Sequence, residues 1–308
     1  MAKSSRPWYG RDYGLSFRMG MTMFLLFALY AAFIVVLWNR IPPYALVALM
    51  ILVGASQLFL SDKIVLWTSG ARVIEPQQAP QLHQMIARLA QLADVPTPKL
   101  AWINTHMPNS FAIGKHPKSS VIAVTRGLVE RLEPAELEAV LAHELTHIKN
   151  RDASVMSLAS FFAMVASFIV QQFFFFGFAM EGGNQRGGGR NNNNGGQAVM
   201  IVWLASLAVW AISYVLIRTL SRYREYAADR GSAILTGHPA YLASALEKIQ
   251  SGVRGVPNRD LRQAESMNAF FIFPAIRENS MMEIFATHPT LEHRLHRLEL
   301  MQQQMEKK

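Results

Sequence analysis

Hydrophobic residues in this chain gather into four long runs without a single charge, and the polar residues gather into the segments between them. The runs are Met19–Trp38, Ile41–Ser61, Ala153–Met180 and Ala198–Ile217. About 20 apolar residues suffice for a helix to cross a bilayer, so the pattern predicts two helical hairpins in a membrane. Asn39, Arg40, Pro42 and Pro43 supply the first turn. A cleaved leader does not fit the first run, because no small-residue cleavage site follows it and the second run begins almost at once. The third run carries Ser157, Ser160, Gln171 and Gln172, which weakens its apolar signal; two buried helices of a soluble core are the competing reading for the second pair. Residues 181–197, rich in Gly and Asn, read as a flexible loop without chemistry.

The remaining segments have the periodicity of a soluble domain. Leu82, Met85, Ile86 and Leu89 predict a helix over Pro80–Leu92. Lys99–Asn104, Ser110–Gly114 and Ser120–Thr125 are short strand candidates, too few for a large sheet. Further helices are expected after Pro134, through Ser221–Asp229 as a continuation of the fourth run, and over Ala240–Gln250 and Thr290–Gln304. The expected fold is mainly α with a small β-sheet, an α+β arrangement interrupted by membrane helices. In chain order it comprises a tail and first hairpin (1–61), a soluble segment ending in the helix after Pro134 (62–152), a second hairpin (153–220) and a C-terminal soluble segment (221–308).

Composition sharpens this picture in three ways. A hydrophobic fraction of 51% in 308 residues is high for a soluble protein. The formal charge of +9 is compatible with nucleic acid, but the basic residues crowd beside the apolar runs, which membrane orientation explains better. With four spans, both termini lie on one side together with Lys3, Arg6, Arg11, Arg18, Lys63, Arg72, Arg218, Arg222 and Arg224, against Arg40, Arg186 and Arg190 on the other. Positive-inside bias makes that first side cytoplasmic. The absence of cysteine excludes disulfides, thiolate metal sites and a cysteine nucleophile, leaving His, Asp and Glu as metal ligands.

The chemistry centres on His143-Glu144-Leu145-Thr146-His147. Two histidines four apart project from one helix face and reach one metal ion, with the glutamate beside them, which is the spacing of a zinc hydrolase. Pro134 suits a first helical position; Leu137, Val140, Leu141 and Ile148 form the packing stripe, and Glu136, Glu138, Lys149 and Arg151 are assigned to the water side. Charges on both flanks set the motif on a soluble helix rather than inside a transmembrane one. Catalytic zinc takes three protein ligands. Glu225 and Asp229, one turn apart past the fourth run, suit a metal ligand and a carboxylate that braces a histidine. Spacing alone leaves equally open a charged helix face pairing with Arg222 and Arg230.

Four motifs in register resolve this. His143–Asp152 (HELTHIKNRD), Ser221–Asp229 (SRYREYAAD), Pro108–Gly114 (PNSFAIG) and Thr287-His288-Pro289 together resemble the HtpX family of membrane-bound zinc metalloproteases, relatives of the CAAX prenyl proteases. The likeness runs over nearly the whole chain. It implies a gluzincin-like protease domain on the cytoplasmic side of a cell inner membrane, one Zn2+ per chain on His143, His147 and Glu225, and Glu144 as general base. It further implies supporting roles for Asp152 and Asp229, a transition-state role for His288, and a substrate-binding edge at Asn109, Ser110 and Phe111. Ser110 stands where alanine is common in the family, a change of little chemical weight at this level. The implied partners are the lipid bilayer and membrane or misfolded protein substrates, in stress response and membrane protein quality control, beside other quality-control proteases. The rival reading is a proteolytically silent, zinc-binding membrane scaffold or chaperone; a structural zinc closes all four positions with protein ligands, and no fourth is evident here.

Overall fold

The computed structural model describes residues 12–59, 61–181, 193–254 and 288–307. The chain divides into two compact units, one of residues 1–18, 62–155 and 221–308, the other of residues 19–61 and 156–220.

The first unit is built on a small mixed sheet. Its strands are β1 (Arg72–Val73), β2 (Lys99–Ile103), β3 (Ser110–Ile113) and β4 (Val121–Thr125), in the order β1-β2-β4-β3. β2 and β4 run parallel, Leu100 opposite Ile122, while β3 lies antiparallel on β4 with Ser110 opposite Val124. β3 is therefore an edge. It stops one residue short of the predicted end because Gly114 adopts φ +119°, where an added Cβ would meet the Ser120 backbone at 2.8 Å. Two residues are too few for alternation to show, so the sequence did not disclose β1.

Helices α4 (Pro80–Ala93), α5 (Arg126–Arg131), α6 (Pro134–Lys149), α9 (Pro239–Arg254) and α10 (Leu291–Glu306) belong to the same unit. The short α5 was also missed; it starts where the Thr125 hydroxyl accepts from the Leu128 amide at 3.2 Å. The predicted stripe of α6 is buried as expected, with Leu137, Val140, Leu141 and Ile148 packed in one cluster with Leu89, Ile122, Leu246 and Leu298. One assignment on this helix needs correction. Glu136 does not face water: it is 5% exposed, caps α6 by accepting from the Glu133 amide at 2.9 Å, and accepts from Ser244 and Lys248 of α9 at 2.7 and 2.8 Å. Its carboxyl is held below the usual range because these donors outweigh the cost of burial.

The second unit consists of apolar helices. α1 (Tyr13–Trp38), α2 (Pro43–Phe59), α7 (Asp152–Glu181) and α8 (Asn193–Thr236) contain nearly all of the four uncharged runs, and the unit takes residues 19–61 and 156–220 of the chain; a short α3 (Ser61–Thr68) follows α2 and falls almost wholly in the first unit. Three of them, α1, α7 and α8, are long and apolar enough to cross a membrane. α2, with 17 residues, is shorter, about 26 Å against a hydrocarbon core of about 30 Å. Inside the unit Leu26, Phe33, Leu37 and Val165 are buried, and the Tyr30 hydroxyl donates to the Ala159 carbonyl at 2.6 Å. The outside keeps Phe24, Phe27, Ile51 and Leu52 more than 60% exposed, the inverse of a water-facing surface and the expected one for lipid. Of the Gly/Asn-rich stretch 181–197, residues 182–192 lie outside the described residues, and the chain is already helical from Asn193. α8 then continues without a break past the apolar run into charged sequence ending at Thr236.

Candidate metal centre

Helices α6 and α8 bring the predicted ligands together. On α6, His143 and His147 stack one turn apart with their Nε2 atoms 3.1 Å from each other. Glu225 of α8 places Oε2 3.6 Å from the His143 nitrogen and Oε1 3.6 Å from the His147 nitrogen. The donor atoms of the three residues lie within 4.8 Å of one another. Close packing makes this possible. Gly231, two turns past Glu225, passes so near α6 that an added Cβ would meet Thr146 Cγ2 at 2.3 Å, and the Ser232 hydroxyl donates to the Ala139 carbonyl at 2.6 Å.

The outward-facing nitrogens decide what the inward ones can do. His143 Nδ1 lies 3.1 Å from Asp229 Oδ1, and His147 Nδ1 2.6 Å from Asp152 Oδ2. A ring that gives its Nδ1 proton to a carboxylate turns an Nε2 lone pair inward. The two Nε2 atoms and Glu225 Oε2, a buried oxygen that accepts no hydrogen bond among the described residues although Arg294 Nη1 lies 3.4 Å from it, therefore face one another. A cation resolves that arrangement, and two imidazoles with one carboxylate suit zinc's preference for N and O ligands. Without a metal, a proton takes part of its place: burial opposes charge on His143, but Asp229 and Glu225 outweigh it and push its pKa up to about 9. Burial and the neighbouring His143 charge keep His147 below its ordinary value. Glu225 stays ionised well below the usual carboxylate range, because His288, His143 and Arg294 outweigh its burial.

Both supporting aspartates are themselves held by arginines, and neither arginine was singled out from sequence. Arg224 pairs with Asp152 and donates to the Asn150 carbonyl at 2.9 Å. Arg294 of α10, fully buried, grips Asp229 with two bonds of 2.9 and 2.6 Å and lies 3.4 Å from Glu225. A signal for Arg294 was present: it sits between Leu291 and Leu298 on the buried side of an otherwise ordinary apolar stripe, and a cation there requires a buried anion.

The other predicted residues are placed as follows. Glu144 is 3% exposed and accepts a hydrogen bond from the Ser110 hydroxyl at 2.8 Å, so the serine that looked chemically neutral holds the glutamate beside the metal ligands. His288 Nδ1 lies 3.3 Å from Glu225 Oε1, and its Nε2 has no hydrogen-bond partner among the described residues. Asn109, Ser110 and Phe111 are all buried at the edge strand; Thr125 fixes Asn109 through both its amide, at 2.8 Å, and its carbonyl, at 3.0 Å. Among the described residues, the hydrogen bonds of the His83 and His293 rings go to their own helix ends, at Ala79 and Thr290.

A soluble α+β unit whose His-Glu-x-x-His helix shares a site with a glutamate from a second helix, joined to apolar helices of membrane length, defines a membrane metallohydrolase. The chain belongs to peptidase family M48, whose model matches residues 76–302. It is 56% identical over 301 residues to the protease HtpX homolog of Moorella thermoacetica, an alignment covering 97% of this chain and 98% of that one. It is 52% identical over 304 residues to the protease HtpX homolog 2 of Methanosarcina acetivorans, covering 97% and 99%. Among solved structures, Ste24p of S. mikatae shares the fold with a TM-score of 0.54 at 19% identity; the match covers 91% of this chain but 62% of that longer one. The protein is a metalloprotease of the membrane, as its own motifs led one to expect.

Proposed function

We propose that this protein is a zinc endopeptidase with His143, His147 and Glu225 as metal ligands and Glu144 as general base, acting on membrane or unfolded proteins. The observation that carries the reading is the convergence of two inward Nε2 atoms and a Glu225 oxygen that accepts no hydrogen bond among the described residues, each imidazole backed by its own carboxylate. Zinc, when bound, acts as a Lewis acid on water and on the scissile carbonyl. Glu144 then takes a proton from the attacking water and returns it to the departing amine. Ser110 occupies one of its oxygens, Oε1, which leaves Oε2 for that transfer. His288 supplies its Nε2, which has no hydrogen-bond partner among the described residues, to the developing oxyanion, and Asp152 and Asp229 fix the two imidazoles. Because the side chains of Asn109, Ser110 and Phe111 are buried, the β3 edge offers a substrate its main chain, which favours extended segments over a fixed sequence.

The wider setting belongs to the same proposal. Four passes, with the site and both termini in the cytoplasm of an inner membrane, agree with the distribution of Lys and Arg around the apolar runs. Clearance of damaged membrane proteins under stress, beside other quality-control proteases, fits a site of low sequence preference. For the chemistry, Glu144→Gln is expected to keep stoichiometric zinc and lose about a thousandfold in cleavage of an unfolded substrate such as casein; near-normal cleavage places the base elsewhere. For the topology, the chain's lack of cysteine allows a single one to be introduced near residue 190, where labelling is expected from the side opposite the C-terminus.

A further inference from the structure

One guanidinium beside the site touches the ends of two helices while belonging to a third. Arg224 is 6% exposed on α8, immediately before Glu225. Its Nη2 donates to the carbonyl of Asn150, the residue that closes α6, and the same side chain pairs with Asp152, the first residue of α7. Between them Arg151 takes the left-handed conformation, φ +55°. That turn brings the Asp152 carboxylate back onto His147 of the preceding helix.

We infer that Arg224 is a positioning residue of the metal site: by holding Asp152 and the end of α6 at once, it keeps His147 oriented and sets the histidine helix in register with the helix that carries Glu225. Both contacts run through one terminal nitrogen, Nη2, at the end of a stiff planar group, a placement that a lysine ammonium on a flexible stem does not reproduce. Without Arg224 the Asp152 carboxylate is free to turn away, and the His147 ring loses the partner that fixes its tautomer and direction. This rests on the reading that His143, His147 and Glu225 share one metal.

The test uses the full-length, detergent-solubilised protein loaded with Co2+, whose visible absorption reports ligand geometry and whose loss to excess EDTA is timed. Arg224→Met is expected to release cobalt about 10 to 100 times faster than wild type, with an altered visible spectrum. Arg224→Lys should fall between the two. Asp152→Ala should match Arg224→Met, and the double variant should be no faster than Asp152→Ala alone, because one residue acts through the other. Wild-type release and spectrum in Arg224→Met overturn the inference, as do single effects that multiply in the double variant. Should Arg224→Met fail to fold by circular dichroism, Arg224→Lys decides by the same two measurements, with wild-type behaviour again overturning it. The underlying metal assignment is checked separately by Glu225→Ala: stoichiometric cobalt in that variant sinks the ligand set, whatever the Arg224 variants do.

Discussion

The two histidines of the site are supported by arms of the same composition and opposite origin. His147 is backed by Asp152 and Arg224, and His143 by Asp229 and Arg294. The first aspartate lies five residues from its histidine, the second 86 residues from its own. The near arm takes its aspartate from the turn at Arg151 and its arginine, Arg224, from another helix. The far arm is assembled wholly from tertiary structure: α8 brings Asp229, α10 brings Arg294, and neither has any local reason to point at His143. A second difference follows. Arg224 serves one carboxylate and a carbonyl at 6% exposure, whereas fully buried Arg294 serves two carboxylates, Asp229 and Glu225. Local geometry thus brings Asp152 to His147, where Arg224 holds it, while Glu225 and the aspartate of His143 depend on a buried cation from the last helix.

The largest expected effect tests that dependence. Arg294→Met leaves two buried carboxylates without their cation and should destabilise the protein by about 3–5 kcal/mol, read as a fall in the thermal midpoint together with loss of bound metal. Arg224→Met should cost less stability; the reverse order breaks the contrast between the arms. Next come the aspartates. Asp229→Asn and Asp152→Asn should each weaken metal affinity about 10- to 100-fold in chelator competition, with Asp229→Asn the worse because it also strands Arg294. Equal losses would mean that the arms differ in assembly but not in function.

Acidity separates them further. Metal-free His143 holds a proton up to about pH 9 because its arm contributes Asp229 while Glu225 faces it, so metal binding must expel that proton. Affinity should therefore rise about tenfold per pH unit from neutrality towards pH 9 and level off above it. The folding consequence has the opposite sign: a raised imidazole pKa stabilises the metal-free fold below about 6.5, and that contribution is lost as the pH climbs through about 9. Flat affinity over this range, by titration calorimetry in matched buffers, would show His143 already neutral. The smallest effect concerns Glu144, which has no arm of this kind, only the Ser110 hydroxyl. Ser110→Ala should lower kcat severalfold, about the worth of one hydrogen bond near 1 kcal/mol, with KM and metal content unchanged; a fall in metal content would tie Ser110 to the ligands instead.

What could be read from sequence follows the same division. His143, Glu144 and His147 are legible because helical spacing alone places them on one face, and the apolar runs are legible because a bilayer imposes length and composition. Glu225 and Asp229 could be named as a pair, but their spacing could not distinguish a metal site from a charged helix face. Arg224 hid among juxtamembrane charges that orientation already explained, and Arg294 inside a stripe whose leucines accounted for the helix. Glu136 was turned the wrong way for the reason that favours most surface glutamates, since Ser244 and Lys248 lie more than 100 residues on. Strand β1 and helix α5 are too short to carry a period.

Gly231 bears on what the fold owes to its ion. Because it lets α8 rest against Thr146 with no side chain between, the helix carrying Glu225 and the helix carrying the histidines meet through backbone and core contacts as well as through shared ligands. Chelation is therefore expected to strip the metal and leave the helical circular dichroism of the chain in place; collapse of that signal on metal removal would make the ion part of the scaffold.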